Sequence, residues 1–537
     1  MSDSNIGGRK NKSCINHIWV LNGIIHEQLS SIKNPPIVIQ QFDYTQMFDG
    51  MKIDEALSDL YNSGIEDDTV HLLYEANKKV EVRVKTPFGL TEEVVLEEVV
   101  LQGEVWGPTL ASNQVDTLGK DMLEDDVSFM FKYKGYIPVP ILGMVDDVIG
   151  VTLAGYKSAQ LNSYINVKTA DKYLQFGQDK CKAMIVGKRV ETFHIPNLTV
   201  DTWETSHTKD GKLVETFSGK KPMENKEELT YLGMEISKDG RNMKTIIQRR
   251  NKQTVKKKMF NNILKPLGAY TFECGFILLN SLVRSSVLYG TEAMYNITEN
   301  ELRELERIEE NQMKNIFKAD TGIQVPLHVM YLDGGQVPAR YQIKRYKLNF
   351  LQYILQQDEE SLLYQMLEAQ QKHPVKGDWY SECCNILKYF EINQSLDTIK
   401  SMTRENFKRL TKERSEEVAF SELLKKKERG NKGSSLIYGQ QLQMADYLCP
   451  NNQLSVSEQI QIFHIRSQIN PLPSNKGLSV PCATGCGEIM NNSHILKCSV
   501  INLKEQLSLQ KLINGDLYEM KKTLDQWNNN NPFYTSV

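Results

Sequence analysis

Nine cysteines in 537 residues are too few and too dispersed for a disulfide framework. Five of them, Cys14, Cys181, Cys274, Cys383 and Cys384, stand singly or as one adjacent pair, which points to a reducing, intracellular compartment. Long apolar runs are missing too. No window approaches the ~18 uninterrupted apolar residues of a membrane span, and the opening "MSDSNIGGRKNKSC" lacks the apolar core of a secretory signal. Charge of one sign is also lacking: 64 Lys and Arg face 67 Asp and Glu, a net of −3. Any attraction for nucleic acid or an anionic surface must therefore come from local patches. No repeat of solenoid period is present. What remains is an ordinary globular composition, 40% hydrophobic and 24% charged, with length for two to four domains.

The first half mixes strand and helix signals. "PPIVIQQF" (35–42) reads as a β-branched strand running into Asp43. In "KIDEALSDLYNSG", Ile53, Ala56, Leu57 and Leu60 share one helix face and Gly64 sits where a C-cap belongs. "VEVRVKT" and "TEEVVLEEVVL" read as strands around a Pro-Phe-Gly turn, and Pro108 opens a helix in "GPTLASNQVDTLGKDML". "IPVPILGMVDDVIGVTLAG" reads as strand, tight turn, strand; residues 159–172 as helix; "CKAMIVG" as strand. The polar stretch 201–228 is a loop or exposed hairpin, closed by the apolar run "LTYLGMEI". Beyond Asp239 helical spacing dominates to about residue 445, and the Cys383–Cys384 pair is expected to pack inside a helix.

Asp146 and Asp147 lie side by side among Ile141, Leu142, Met144, Val145, Val148 and Ile149. A turn exposed to water needs no such cushion, and adjacent carboxylates repel unless a cation sits between them. Mg²⁺ suits carboxylate oxygens combined with substrate phosphates. Asp43, which also ends an apolar strand, is the natural third member. Acids at matching ends of neighbouring strands can hold two metals ~3.5–4 Å apart, the arrangement that serves phosphoryl transfer. A second constellation, "PCATGCGEIMNNSHILKC", supplies Cys482, Cys486, His494 and Cys498, a donor set for a closed tetrahedral Zn²⁺ site.

The order Asp-x-x-x-x-Phe-Asp, Gln-Gly before a helix, Asp-Asp in a hairpin, "FGQDKCKAMIVG" and "YLGMEISKDG" resembles the palm of reverse transcriptases, closest to non-LTR, LINE-type retrotransposon enzymes. The resemblance covers roughly residues 5–345. It departs from the usual pattern at Met47, Leu101 and the Met144-Val145 pair before the aspartates. It implies an α+β right-hand polymerase: partial fingers and palm in 1–240, a helical thumb in 241–345, a helical connection and charged linker in 346–445, and a C-terminal region with the zinc knuckle in 446–537. It also implies that the clamp for the incoming triphosphate lies upstream of Met1, so that the chain is truncated at its N-terminus.

Carried over residue by residue, the resemblance implies that Asp43, Asp146 and Asp147 bind two Mg²⁺ ions, or Mn²⁺ in their place, with the Tyr44 carbonyl assisting. Phe48 would exclude a 2′-hydroxyl, Gln102 and Gly103 would line the nucleotide pocket, and Lys180 would lie near the leaving pyrophosphate. Tyr231 and Gly233 belong to the hairpin that grips the primer. The stretch Lys238–Lys258 carries nine Lys or Arg against one Asp. Its Arg249, Arg250, Lys252, Lys256, Lys257 and Lys258 stand where a thumb begins, the place for phosphate contacts. The partners implied are an RNA template, a DNA primer and deoxynucleoside triphosphates, with no membrane. The rival expectation is a non-catalytic RNA- or DNA-binding relic that keeps the fold and the knuckle.

Overall fold

In the computed structural model the described residues are 5–7, 9–45, 47–97, 100, 104–177, 179–207, 213–264, 271–319, 323–430, 432–450, 452, 454–470, 479, 481–482, 486, 488–489, 491, 494 and 509–530. They form a mixed helix-and-sheet structure that divides into two compact units. One gathers Met1–Thr245, Ala293–Ile297 and Ile354–Glu382; the other gathers Ile246–Glu292, Thr298–Tyr353 and Cys383–Val537. Among the described residues no helix is long and apolar enough to cross a membrane.

The first unit begins with α1 (Cys14–Ser30) and β1 (Ile37–Asp43), followed by α2 (Met47–Gly50), α3 (Ile53–Asn62) and α4 (Asp67–Asn77). The α3 stripe is as its spacing predicts: Ile53, Ala56, Leu57 and Leu60 are buried, and Gly64 follows at φ +89°. β2 (Lys79–Val82) pairs antiparallel with β5 (Val94–Glu97), enclosing the short pair β3 (Lys85–Thr86) and β4 (Gly89–Leu90). α5 (Gly107–Glu124) carries its proline in the first turn, where the missing N–H costs nothing. Then come β6 (Phe131–Tyr133), β7 (Ile137–Val139), β8 (Leu142–Met144), β9 (Asp147–Leu153), α6 (Tyr156–Asp171) and β10 (Lys182–Val186). The polar stretch is a hairpin, β11 (Thr199–His207) and β12 (Leu213–Pro222); β13 (Glu224–Asn225) and a second hairpin, β14 (Glu228–Tyr231) and β15 (Met234–Ser237), complete the set.

The central sheet has the order β13-β10-β1-β9-β8, with β1 antiparallel to both neighbours. β1 lies in the middle with both faces covered, so it reads as a nearly unbroken buried run rather than an alternation. Side chains alternate across it. Val38 and Phe42 enter the core beneath α6, and Gln40 donates to the Ser158 carbonyl of that helix at 2.9 Å. Gln41 and Asp43 take the opposite face.

The second unit is helical. Its described helices include Glu299–Ile316, Leu327–Asp333, the 26-residue Arg404–Arg429 and Val456–Arg466, and α7 (Met243–Leu264) enters it after Thr245. Phe317 stacks on Phe463 with centroids 4.2 Å apart. The fully buried Asp333 is satisfied on all sides, accepting two bonds from Arg466 at 3.0 Å and one each from Tyr438 and Tyr447 at 2.7 and 2.6 Å.

Candidate catalytic carboxylates and metal centre

β1 and β9 run antiparallel in the register that sets Asp43 directly opposite Asp147. Cross-strand partners project from the same sheet face with Cβ atoms about 5 Å apart. Residues 43 and 147, more than a hundred positions apart in sequence, therefore share one end of one face. Asp146 belongs to the two-residue loop joining β8 to β9, where Met144 pairs with Asp147. The first loop residue, Val145, has φ +60°, a conformation β-branched residues avoid. Holding it there costs about 1–3 kcal/mol, which the surroundings must impose.

Those surroundings include the chain's first described residues. Asn5 forms a parallel bridge with Gly143, Ile6 donates its N–H to the Gly143 carbonyl at 3.1 Å, and Asn5 Nδ2 donates to the Ser112 carbonyl at 3.0 Å. Gly7 sits so close that a Cβ there would lie 2.5 Å from Ser112 Oγ and 2.7 Å from Val145 Cγ2. This short strap covers the outer edge of β8 and presses on the aspartate loop. Only a residue without a side chain fits there.

The electrostatics follow from crowding. Asp147 is pushed up to about 6, first by burial, then by the charges of Asp146 and Asp43; Lys180 opposes the rise. Lys180, just before β10, reaches Asp43 with Nζ 2.9 Å from Oδ1, and that contact raises its own pKa. The three carboxylates occupy one end of the sheet but are not drawn together to ligand spacing. Among the described residues the Asp/Glu/His/Cys group that does reach it is Cys482, Cys486 and His494. Like charges at one sheet end repel one another, and one of them, Asp43, is met by the Lys180 ammonium.

The remaining sequence-predicted residues divide sharply. Tyr44 is buried and stacks on Phe176 at 4.7 Å, while Phe48 is half-buried against the same core. Gln102, Gly103 and Cys498 lie outside the described residues, as do the side chains of Lys256, Lys257 and Lys258. Gly233 is at the exposed tip of the β14–β15 hairpin, where φ is +48° at Leu232 and +81° at Gly233; a turn with both central residues left-handed favours glycine. Arg250 and Lys252 are exposed on α7, Arg250 3.6 Å from Glu304.

Two expected nucleic-acid contacts need correcting. The Tyr231 ring is fully buried, its hydroxyl donating to the Leu142 carbonyl at 3.2 Å. Arg249 points inward, its guanidinium donating to the carbonyls of Val287, at 2.7 Å, and Tyr289, and burial pushes its pKa down to about 10. A run of basic residues on a helix includes the positions that face the interior, and composition alone does not mark them.

In the second unit, Cys482, Cys486 and His494 bring their ligand atoms within 4.8 Å of one another, with Cys486 Sγ 3.2 Å from His494 Nε2. Backbone pairing shapes the knuckle: Pro481 bridges Ile489, the Cys482 N–H donates to the Glu488 carbonyl at 2.7 Å, and Asn491 Oδ1 accepts from the His494 N–H at 2.8 Å. Two thiols and an imidazole at that spacing can bind a metal such as zinc.

Residue-level reading of the sequence missed Asn5, Gly7 and Gln41. Gln41 carries a local signal, an amide pair interrupting an apolar strand; the strap carries none, because its partners lie far along the chain.

No known family profile matches this chain. No curated protein matches it. Among solved structures, telomerase from Candida albicans in complex with the TWJ fragment of telomeric RNA is similar at 13% identity and a TM-score of 0.33, over 74% of this chain and 54% of that one. Telomerase from Candida tropicalis with the same fragment gives 11% and 0.31 over 76% and 53%, and its apo form gives 10% and 0.30 over 76% and 56%. The chain spans about half the length of these telomerase chains.

Proposed function

We propose that the chain is an RNA-directed DNA polymerase of the retrotransposon, LINE-like kind, with partial fingers and a palm in 1–240, a helical thumb in 241–345, a connection in 346–445 and a zinc knuckle in 446–537. One observation carries the reading: Asp43 opposes Asp147 across β1 and β9, and Asp146 stands in the adjoining loop. The fit to Mg²⁺ rests on the donor chemistry. Three hard oxygen ligands share one sheet end, where burial and the neighbouring Asp146 and Asp43 charges push Asp147 up to about 6. Two Mg²⁺ or Mn²⁺ ions, when bound, supply the charge that activates a primer 3′-hydroxyl and stabilises the pentavalent α-phosphate.

The chain's own residues do the positioning. Asp43, Asp146 and Asp147 fix where positive charge accumulates. Phe48, at the core edge, limits what lies beside the sugar, and Gln102 with Gly103 line the nucleotide side. Lys180, whose side chain is 63% exposed beside Asp43, meets the departing pyrophosphate. Within the first unit Gly233 at its hairpin tip meets the primer strand; within the second, the outward Arg250 and Lys252, with Lys256, Lys257 and Lys258, offer phosphate contacts.

The decisive experiment is primer extension on a homopolymer RNA template with Mg²⁺ or Mn²⁺, beside Asp146→Ala/Asp147→Ala. Extension by the wild type and none by the double variant supports the assignment; extension that survives the double substitution ends it. A second reading, a nucleic-acid-binding relic without catalysis, is favoured by the Lys180–Asp43 ion pair, whose ammonium takes up an oxygen of one of the three carboxylates. Binding of an RNA–DNA hybrid with no extension is its signature.

A further inference from the structure

The β14–β15 hairpin is tied to β1, which ends in Asp43, and to β8, which leads into Asp146 and Asp147. Gln41, two residues before Asp43 and on the same face of β1, donates from Nε2 to the Thr230 carbonyl of β14 at 2.8 Å. Tyr231, the next residue of β14, donates its hydroxyl to the Leu142 carbonyl at the start of β8, four residues before Asp146. The same hydroxyl lies 3.3 Å from His17 Nδ1, so α1 braces it from behind. Burial raises the Tyr231 pKa, and the nearby Asp147 charge adds to the rise. From the other strand of the hairpin, the Glu235 carbonyl accepts from the Thr245 hydroxyl at 2.7 Å, the point where α7 begins.

Gln41 is poorly chosen as core filler. It is 8% exposed, and its Oε1 accepts no hydrogen bond among the described residues. Leaving a buried amide half-satisfied is unfavourable, and a methionine of similar shape would pack there without that defect. What the amide adds is direction. Its N–H reaches a backbone carbonyl of β14, tying the hairpin to the sheet beneath it. Tyr231 does the same from the β8 side, so the hairpin's position is fixed against both arms of the carboxylate site.

The geometry points to Gln41 and Tyr231 as positioning residues that hold the β14–β15 hairpin, and whatever strand rests on its tip at Gly233, in register with Asp43, Asp146 and Asp147. The inference rests on the polymerase reading for its consequence, though the linkage itself is a property of the fold. Neither residue touches the reacting atoms. Loosening the hairpin leaves the nucleotide pocket alone and misplaces the primer end.

The test uses the full-length chain, Gln41→Met and Tyr231→Phe, read by amide hydrogen exchange of residues 228–237 and by primer extension at varied nucleotide concentration. Gln41→Met removes one hydrogen bond and Tyr231→Phe the two made by its hydroxyl, so hairpin amides should exchange at least about 5-fold faster, at about 1 kcal/mol per bond, while those of β1 and β9 hold steady. Extension should slow with the nucleotide KM unchanged, and the melting temperature of Gln41→Met should not fall. Exchange unchanged in both variants overturns the linkage. Faster exchange with unchanged extension overturns the positioning role. If the wild type itself extends nothing, the polymerase reading falls, and the exchange data alone decide whether the hairpin is tied as described.

Discussion

Asp147→Asn should make the protein more stable and functionless at once. In the metal-free chain Asp147 is held at about 6 rather than near 4, by burial and by Asp146 and Asp43. At about 1.4 kcal/mol per pH unit, the charged form is disfavoured by roughly 3 kcal/mol. Solvent reaches this half-buried carboxyl, so about 1–2 kcal/mol is the fair expectation. The sign follows from proton counting. Between about pH 4 and pH 6 the folded state binds more protons than the unfolded one, so stability falls as pH rises through that window. Above it the full cost is present; below it Asp147 is protonated and the cost is gone. An asparagine never ionises. Thermal melts without divalent metal should therefore show Asp147→Asn ahead by about 2–6 °C at pH 7.5 and nearly level with the wild type at about pH 3.5, below the window. Adding Mn²⁺ should raise the wild type and leave the variant unmoved. An asparagine variant no more stable at pH 7.5, or equally ahead at both pH values, would refute the crowding argument.

Three further predictions rest on other parts of the structure. Lys180→Gln frees Asp43 from an exposed ion pair worth about 0.2–1 kcal/mol, so Mn²⁺ titration should show tighter binding by up to about 5-fold, while extension slows. Gly7→Ala drives a methyl into Ser112 and Val145; limited proteolysis should cut the N-terminal strap faster, and the melt should drop by about 1–3 kcal/mol. Metal analysis should find about one zinc per chain, lost in Cys486→Ala and in His494→Ala, with the first unit's melt unchanged.

Much of the first unit was legible locally. A β-branched run ending at Asp43, apolar residues flanking Asp146 and Asp147, and the α3 stripe each carry their own period, so strand, hairpin and helix follow from near neighbours. The Cys482, Cys486 and His494 set was legible for the same reason: ligands close in sequence need only a tight turn to meet. The site as a site was less so. Spacing names three acids but not that β1 and β9 are neighbours, nor that their register puts 43 opposite 147 rather than one residue off, which would turn one of them to the other face.

By itself, then, the sequence determined which residue types sit at strand ends, which stretches are helix or strand, and where the soft-metal ligands cluster, because these depend on interactions within a few residues. Only the tertiary structure decided the rest. It turned Arg249 and Tyr231 inward, set Lys180 on Asp43, laid Asn5–Gly7 along β8, and returned Ile354–Glu382 to the first unit. Each of these is a pairing across scores or hundreds of residues. Such a pairing is selected by the summed burial and hydrogen bonding of the whole core, and no local pattern in the chain encodes that sum.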